Sequence, residues 1–401
     1  MKRRFLLVFV LIFFIITGSL AAQSLVFSGL LDSSAAMSAG AGDAPDFSYG
    51  FEEFANIRMQ ARINEKAVFF GAVNLIAASG SFTQAASQLG YLNSNMYNSG
   101  LNSASFITGD NYIAGIELER LYFRLNWERV SLDAGLMRVP FGYSQIWGPM
   151  DFLNPKNPLA ADARPRAILG GTLFWYPTDD LKLLGLAAAP RDPFSGSNGT
   201  FTGLFLEQHW DKISIQSLYV FETPAENSSD GIHRAGLSVK ADVEAGLTLE
   251  ALYTYNNETE TRSGGLSLSA GIDYSFFDGN LIVMTEYLYN GKTSSTAFDI
   301  KKNIFGRLNK HYLYTGFTCL FSDYTSLTAA LLSCFSDVSF TPVLSLNHEL
   351  FQGAALTVSA RFPLDRNLFK NDGSRGELGP IAPGADTGSY FNFSTKLRLR
   401  F

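Results

Sequence analysis

The residues of this sequence best suited to act on a solute are cations at even spacing. Lys396, Arg398 and Arg400 stand at alternate positions at the chain's end, and Arg58 with Arg62 and Arg120 with Arg124 keep one parity within their segments. Successive side chains of an extended backbone point to opposite faces, so each set lies on one face of its strand. Such a face moves no proton and holds no metal. Its guanidinium and ammonium groups draw anions in and repel cations. Arg361 joins this set, while Glu250, Asp273 and Glu286, with Lys240 as an exception, form a smaller acidic set from mid-chain.

Other chemistry is missing. His209, His233, His311 and His348 are scattered, with no metal-ligand spacing. No Gly-x-Ser-x-Gly elbow or P-loop occurs, and no histidine is linked to a nucleophile, so no catalytic residue, metal or cofactor is expected. A net charge of −6 argues against a nucleic-acid partner.

The elements that carry these residues are strands. Phe391, Phe393, Leu397, Leu399 and Phe401 alternate with Asn392, Ser394, Lys396, Arg398 and Arg400. Ala55, Ile57, Met59 and Ala61 alternate with Asn56, Arg58, Gln60 and Arg62; the same period recurs over 120–127 and 266–273. Charged residues are 17% of the chain, against about 25% in ordinary globular proteins, and aromatics are 14%. Strands with one face to lipid and one to water account for that balance.

At the N-terminus, Lys2, Arg3 and Arg4 precede an apolar run from Phe5 to Ile16, then Thr17–Ser19 and the small Ala21 and Ala22. This is the layout of an export signal over residues 1–22, with cleavage after Ala21 or Ala22. The run is too short to span a bilayer, which takes about 20 apolar residues.

Short turns are expected at Asn64–Glu65, Glu128–Arg129, Pro177–Asp180, Asp211–Lys212, Asp242–Gly246, Asp278–Asn280, Ser322–Tyr324 and Gln352–Gly353. Longer polar connections alternate with them, at 32–49, 79–111, 139–166, 191–200, 222–232, 257–263, 291–310, 335–339 and 363–389. Strict alternation of short and long is the mark of a transmembrane up-and-down barrel. The expected fold is all-β: an antiparallel barrel over residues 23–401 with about 18 strands, 16 being the alternative because 24–31 and 181–190 are weakly patterned. Trp127, Trp175, Tyr176, Trp210, Phe276, Phe277, Phe321 and Phe351 fall near the short turns, as an interfacial aromatic girdle requires. Cys319 and Cys334 sit about eight residues out of register on one hairpin, roughly 27 Å, so no disulfide between them is expected.

Here the chain resembles bacterial outer-membrane porins. Phe393, Leu397, Leu399 and the terminal Phe401 look like the signal that the barrel-assembly machinery reads. Gly135-Leu136-Met137-Arg138-Val139-Pro140-Phe141-Gly142, then Trp147-Gly148-Pro149-Met150-Asp151-Phe152-Leu153-Asn154-Pro155, is similar to segments of specific and phosphate-selective porin-like families. The resemblance implies outer-membrane lipid as surroundings, a trimer, and a third loop folded inward to narrow the lumen. By count that loop is 139–166, with Trp147, Asp151, Lys156, Asp162, Arg164 and Arg166.

Closing the barrel sets the last strand beside the first. The lumen-lining cations Arg58, Arg62, Arg120, Arg124, Arg361, Lys396, Arg398 and Arg400 then share one wall, facing Glu250, Asp273 and Glu286. The expected function is passive diffusion of small polar solutes with a mild anion preference. The alternatives are a non-conducting surface protein whose loops act, and a transporter of apolar compounds.

Overall fold

A computed structural model describes residues 23–40, 47–80, 104–109, 111–154, 167–189, 199–224, 231–255, 265–291, 310–364, 378 and 389–401. The expected export signal, 1–22, lies outside the described residues.

The strands follow the two-residue period. In chain order they are β1 (Ser24–Gly40), β2 (Phe47–Arg62), β3 (Ala67–Gly80), β4 (Ala104–Thr108), β5 (Tyr112–Asn126), β6 (Val130–Met137) and β7 (Ile168–Trp175). Next come β8 (Leu181–Ala188), β9 (Phe201–Trp210), β10 (Ile213–Glu222), β11 (Ile232–Asp242), β12 (Gly246–Tyr255) and β13 (Leu266–Phe276). The chain ends with β14 (Leu281–Asn290), β15 (His311–Ser322), β16 (Thr325–Cys334), β17 (Ser339–Phe351), β18 (Ala354–Arg361) and β19 (Ser389–Arg400).

All pair antiparallel, and β1 pairs with both β2 and β19, so the sheet closes. β4 is outside the circuit. β3 pairs directly with β5, while β4 takes the other edge of β5, from Ala104↔Glu117 to Thr108↔Ile113. That edge is free because the shorter β6 occupies only its far end, Leu121↔Leu136 to Asn126↔Ser131. Nineteen strands less β4 leave an 18-stranded wall.

Every expected short turn separates two wall strands. Asp278–Asn280 and Gln352–Gly353 use positive φ values, at Asp278 (54°), Gly279 (90°) and Gly353 (85°). The connection expected at 32–49 is wrong: β1 runs to Gly40 and β2 begins at Phe47. Ser33, Ser34, Ala35 and Ala36 offer no contrast between faces, so the alternation that marks a strand is invisible there. The weakly patterned segments near 24–31 and 181–190 are strands β1 and β8.

The outward face is apolar. Phe27, Leu173, Leu204, Leu249 and Phe317 point out and are exposed, as are Trp127, Trp175, Trp210, Phe277, Phe321 and Phe351 at the short-turn end. Exposed apolar area spread over a whole wall far exceeds the few hundred Å² that soluble monomers show. The largest buried cluster, with Phe141, Met150, Phe205 and Leu252, lines the inside, while a smaller one of Met59, Ala61 and Phe69 has the outward parity. Cys319 faces out opposite Leu327, whereas Cys334 faces in opposite Tyr312; no disulfide joins them.

Candidate functional site

The inward faces of β18, β19, β1, β2, β3 and β5 form one continuous sector, because β19 closes on β1. Register places its cations in rungs. Arg62 and Arg124 flank Val68, and Arg58 and Arg120 flank Ala72, so each pair is separated by one strand bearing a small side chain. Arg400 lies opposite Leu30, Arg398 opposite Asp32, Lys396 opposite Thr357 and Arg361 opposite Asn392. A register shift in β5 next to Ala72/Val73 leaves Glu119 unmatched in the ladder, and both Glu119 and Arg120 turn inward.

Several of these cations have counter-ions that the sequence did not reveal. Arg398 donates through Nε and Nη2 to both oxygens of Asp32, each at 2.7 Å. Arg124 grips Asp133 in the same two-point fashion, also at 2.7 Å. Glu119 accepts from Arg138 at 2.8 Å and lies 3.5 Å from Arg120. Arg58 differs: its Nε donates to the Asn56 amide oxygen at 2.6 Å, and Asn56 in turn donates to Asn74 and Glu119. Among the described residues Arg58, Arg62 and Arg400 make no ion pair, and all three are exposed. They cluster toward the short-turn end.

The opposite sector is filled. Residues 139–154 turn into the barrel and dock on the inward faces of β8 to β16. Glu250 accepts from the backbone amides of Tyr143 (3.1 Å), Ser144 (3.2 Å) and Met150 (2.6 Å). Glu286 accepts from those of Gln145 (2.9 Å), Ile146 (3.1 Å) and Trp147 (2.7 Å), and from the Ser144 hydroxyl (2.9 Å). Buried backbone amides need acceptors, and two carboxyl side chains supply them for a loop without regular structure. Gly142 permits the approach: its φ is +83°, and a Cβ there would overlap the Glu250 carboxylate.

Apolar contacts hold the same loop. Phe141, Met150 and Leu153 join Leu184, Phe205, Leu218 and Leu252 in one buried cluster. Trp147, 1% exposed, packs with Leu288, Tyr312 and Leu332, its ring centroid 5.3 Å from that of Tyr312. The Asn154 side chain accepts from the Val139 amide at 2.8 Å and ties the loop's two ends together. Tyr143 reaches Glu207 through its hydroxyl at 2.9 Å; burial first, then the charge of Glu207, raises the phenol above its ordinary value, so it stays a donor.

The sequence-derived acids therefore need correcting as pore charges. Glu250 and Glu286 face inward, yet each is 1% exposed beneath loop amides. They anchor the loop and present no acidic wall to solvent. Asp273 also faces inward, opposite Gly246, and Lys240 is matched by Asp242 at 2.9 Å. Within the loop Trp147 and Asp151 are buried; Lys156, Asp162, Arg164 and Arg166 lie outside the described residues. Phe393, Leu397 and Leu399 face outward on β19, and Phe401 exchanges backbone hydrogen bonds with Gly29 at the seam.

The sequence matches no protein-family model and no curated protein. Its fold is that of solved outer-membrane porins. It superposes on the BenF-like porin of Pseudomonas fluorescens Pf-5 with a TM-score of 0.56 at 9% identity, covering 95% of this chain and 99% of that one. For Acinetobacter baumannii OccAB4 the TM-score is 0.53 at 10% identity, with 95% and 98% covered. For Pseudomonas aeruginosa OccK7 (OpdD) it is 0.52 at 10% identity, with 94% and 99% covered.

Proposed function

We propose that the chain is an outer-membrane porin that passes small polar solutes by diffusion, with a mild preference for anions. The observation that carries this reading is the exposed group Arg58, Arg62 and Arg400, which makes no ion pair among the described residues, across the lumen from a loop that closes the other half. A fixed cationic wall beside a narrowed passage raises the local concentration of anions and leaves the passage open to water. The fold shared with solved porins supports it. The same reading takes residues 1–22 as the export signal, Phe401 and its alternating partners as the assembly signal, and the short turns as periplasmic. No catalytic step is assigned to any residue.

Purified protein in a planar bilayer tests this. Discrete conductance steps are expected, with a reversal potential in a salt gradient on the anion-selective side. A folded barrel that never conducts would sink the pore and leave a surface protein whose long loops act. A cation-selective reversal potential would retain the pore and reject the role of the arginines.

A further inference from the structure

The outward wall of β7 to β10 is not smooth. A groove of about 650 Å³ runs along it, floored by Gly171, Gly185 and Ala187 and walled by Leu173, Leu204 and Tyr219. The floor is backbone: a Cβ at Gly185 would meet nothing within 4 Å, and at Gly171 only the Asp133 carbonyl at 3.6 Å. Ala187, Thr202 and Phe221 sit toward the long-loop ends of their strands and Leu173 toward the short-turn side, so the groove lies along the apolar band.

At its long-loop end the groove meets the polar pair of His233 and Tyr219. The Tyr219 hydroxyl lies 2.7 Å from His233 Nδ1, and the Phe221 ring lies 4.8 Å from the imidazole. Tyr219 and Phe221 line the groove and touch this histidine, joining an apolar trough to a hydrogen-bonding head. In the tautomer whose Nδ1 accepts from the phenol, the imidazole proton is on Nε2 and is left to donate to a further acceptor. Both features fit one class of ligand, an amphiphile with an acceptor at its head.

We propose that this groove seats an acyl chain of a phosphate-bearing membrane lipid, whose phosphate accepts a hydrogen bond from His233 Nε2. The site rests on the barrel's lying in a membrane and is independent of conduction, since the side chains that wall it, Leu173, Leu204, Tyr219 and Phe221, face away from the lumen.

Native mass spectrometry of the full-length barrel from uncharged-detergent micelles doped with phosphatidylglycerol tests the site. Wild type should retain a lipid adduct. Gly185→Phe fills the groove at a position with free space and should weaken retention about tenfold, the worth of roughly two buried methylenes. His233→Phe keeps the aromatic packing and should weaken phosphatidylglycerol while sparing an uncharged diacylglycerol. His311→Phe, which alters the comparable Tyr287–His311 pair elsewhere on the wall, should change neither. Equal retention by wild type and Gly185→Phe overturns the proposal. So does displacement of the lipid by inorganic phosphate alone, or a dimer that Gly185→Phe dissolves, which would put a second copy in the groove. Conductance of the same preparations should match wild type; a non-conducting wild type that loses lipid on Gly185→Phe rejects the pore and keeps the site.

Discussion

Trp147 and Glu286 are joined at both ends of the tryptophan: its backbone amide donates to the Glu286 carboxylate at 2.7 Å, and its indole Nε1 donates to the Glu286 carbonyl at 2.9 Å. One bond fixes the loop's backbone and the other fixes the side chain that plugs the cluster of Leu288, Tyr312 and Leu332. Together with Glu250, this makes the loop's position depend on two wall carboxylates.

Glu286→Ala is therefore expected to release the loop while leaving the wall paired. Each buried amide left without an acceptor costs about 1–3 kcal/mol, and one carboxylate serves three of them. Single-channel conductance should rise and become noisier, with Glu286→Gln intermediate because its amide oxygen still accepts. Gel migration of unheated protein should show a folded barrel throughout. Unchanged conductance in Glu286→Ala would mean that this loop does not limit the passage.

Gly142→Ala reaches the same loop from the backbone. A side chain at φ +83° is strained by about 1–3 kcal/mol, and its Cβ would occupy the place of the Glu250 carboxylate. Conductance should increase as in Glu286→Ala, and combining the two changes should add little. A fully additive increase would show that the two carboxylates hold independent parts of the loop.

Much of this architecture could be read from the chain. Alternation over 120–127 and 391–401 shows which way each side chain points, and the eighteen wall strands follow from turns such as Asp278–Asn280. The inward orientation of Arg58, Arg62 and Arg400 follows from parity alone. What covers an inward residue does not. Glu250 and Glu286 have the parity of lumen charges, but only the folded path of 139–154 lays amides over them. The pairing of Arg398 with Asp32 joins the two ends of the chain and needs the closing register of β1 and β19. The register shift at Glu119 also escapes a two-residue period, since such a shift breaks that period.

Asp32→Asn tests the closing pair. In wild type the carboxylate neutralises Arg398, with side chains 23% and 8% exposed. The asparagine oxygen still accepts one hydrogen bond but carries no charge, so the inward face loses one negative charge beside Arg398. The reversal potential should move further toward anions, and the urea midpoint should fall modestly, the loss being eased by solvent around Arg398. An unchanged reversal potential would place the Asp32–Arg398 pair out of contact with permeating ions.

Charge reversal of the free arginines bears most directly on function. Arg398 is a poor choice, because a glutamate there would face Asp32. Arg58, Arg62 and Arg400 make no ion pair among the described residues, so replacing all three by Glu alters the lumen without stranding a partner charge. The variant should fold, since lumen substitutions tune selectivity, and its reversal potential should cross from the anion to the cation side. Salt must weaken the effect: the screening length is about 8 Å at physiological ionic strength and about 3 Å at 1 M, so selectivity of wild type and variant should converge in concentrated salt. Leu397→Arg supplies the contrast. It stands beside Arg398 on β19 but faces outward, where an arginine costs about 2–4 kcal/mol at mid-membrane, and it should impair insertion. If Leu397→Arg inserts normally while the triple variant fails to fold, the inner and outer faces of β19 have been exchanged. If the triple variant folds and conducts with unchanged selectivity, permeating ions pass beyond the reach of this wall.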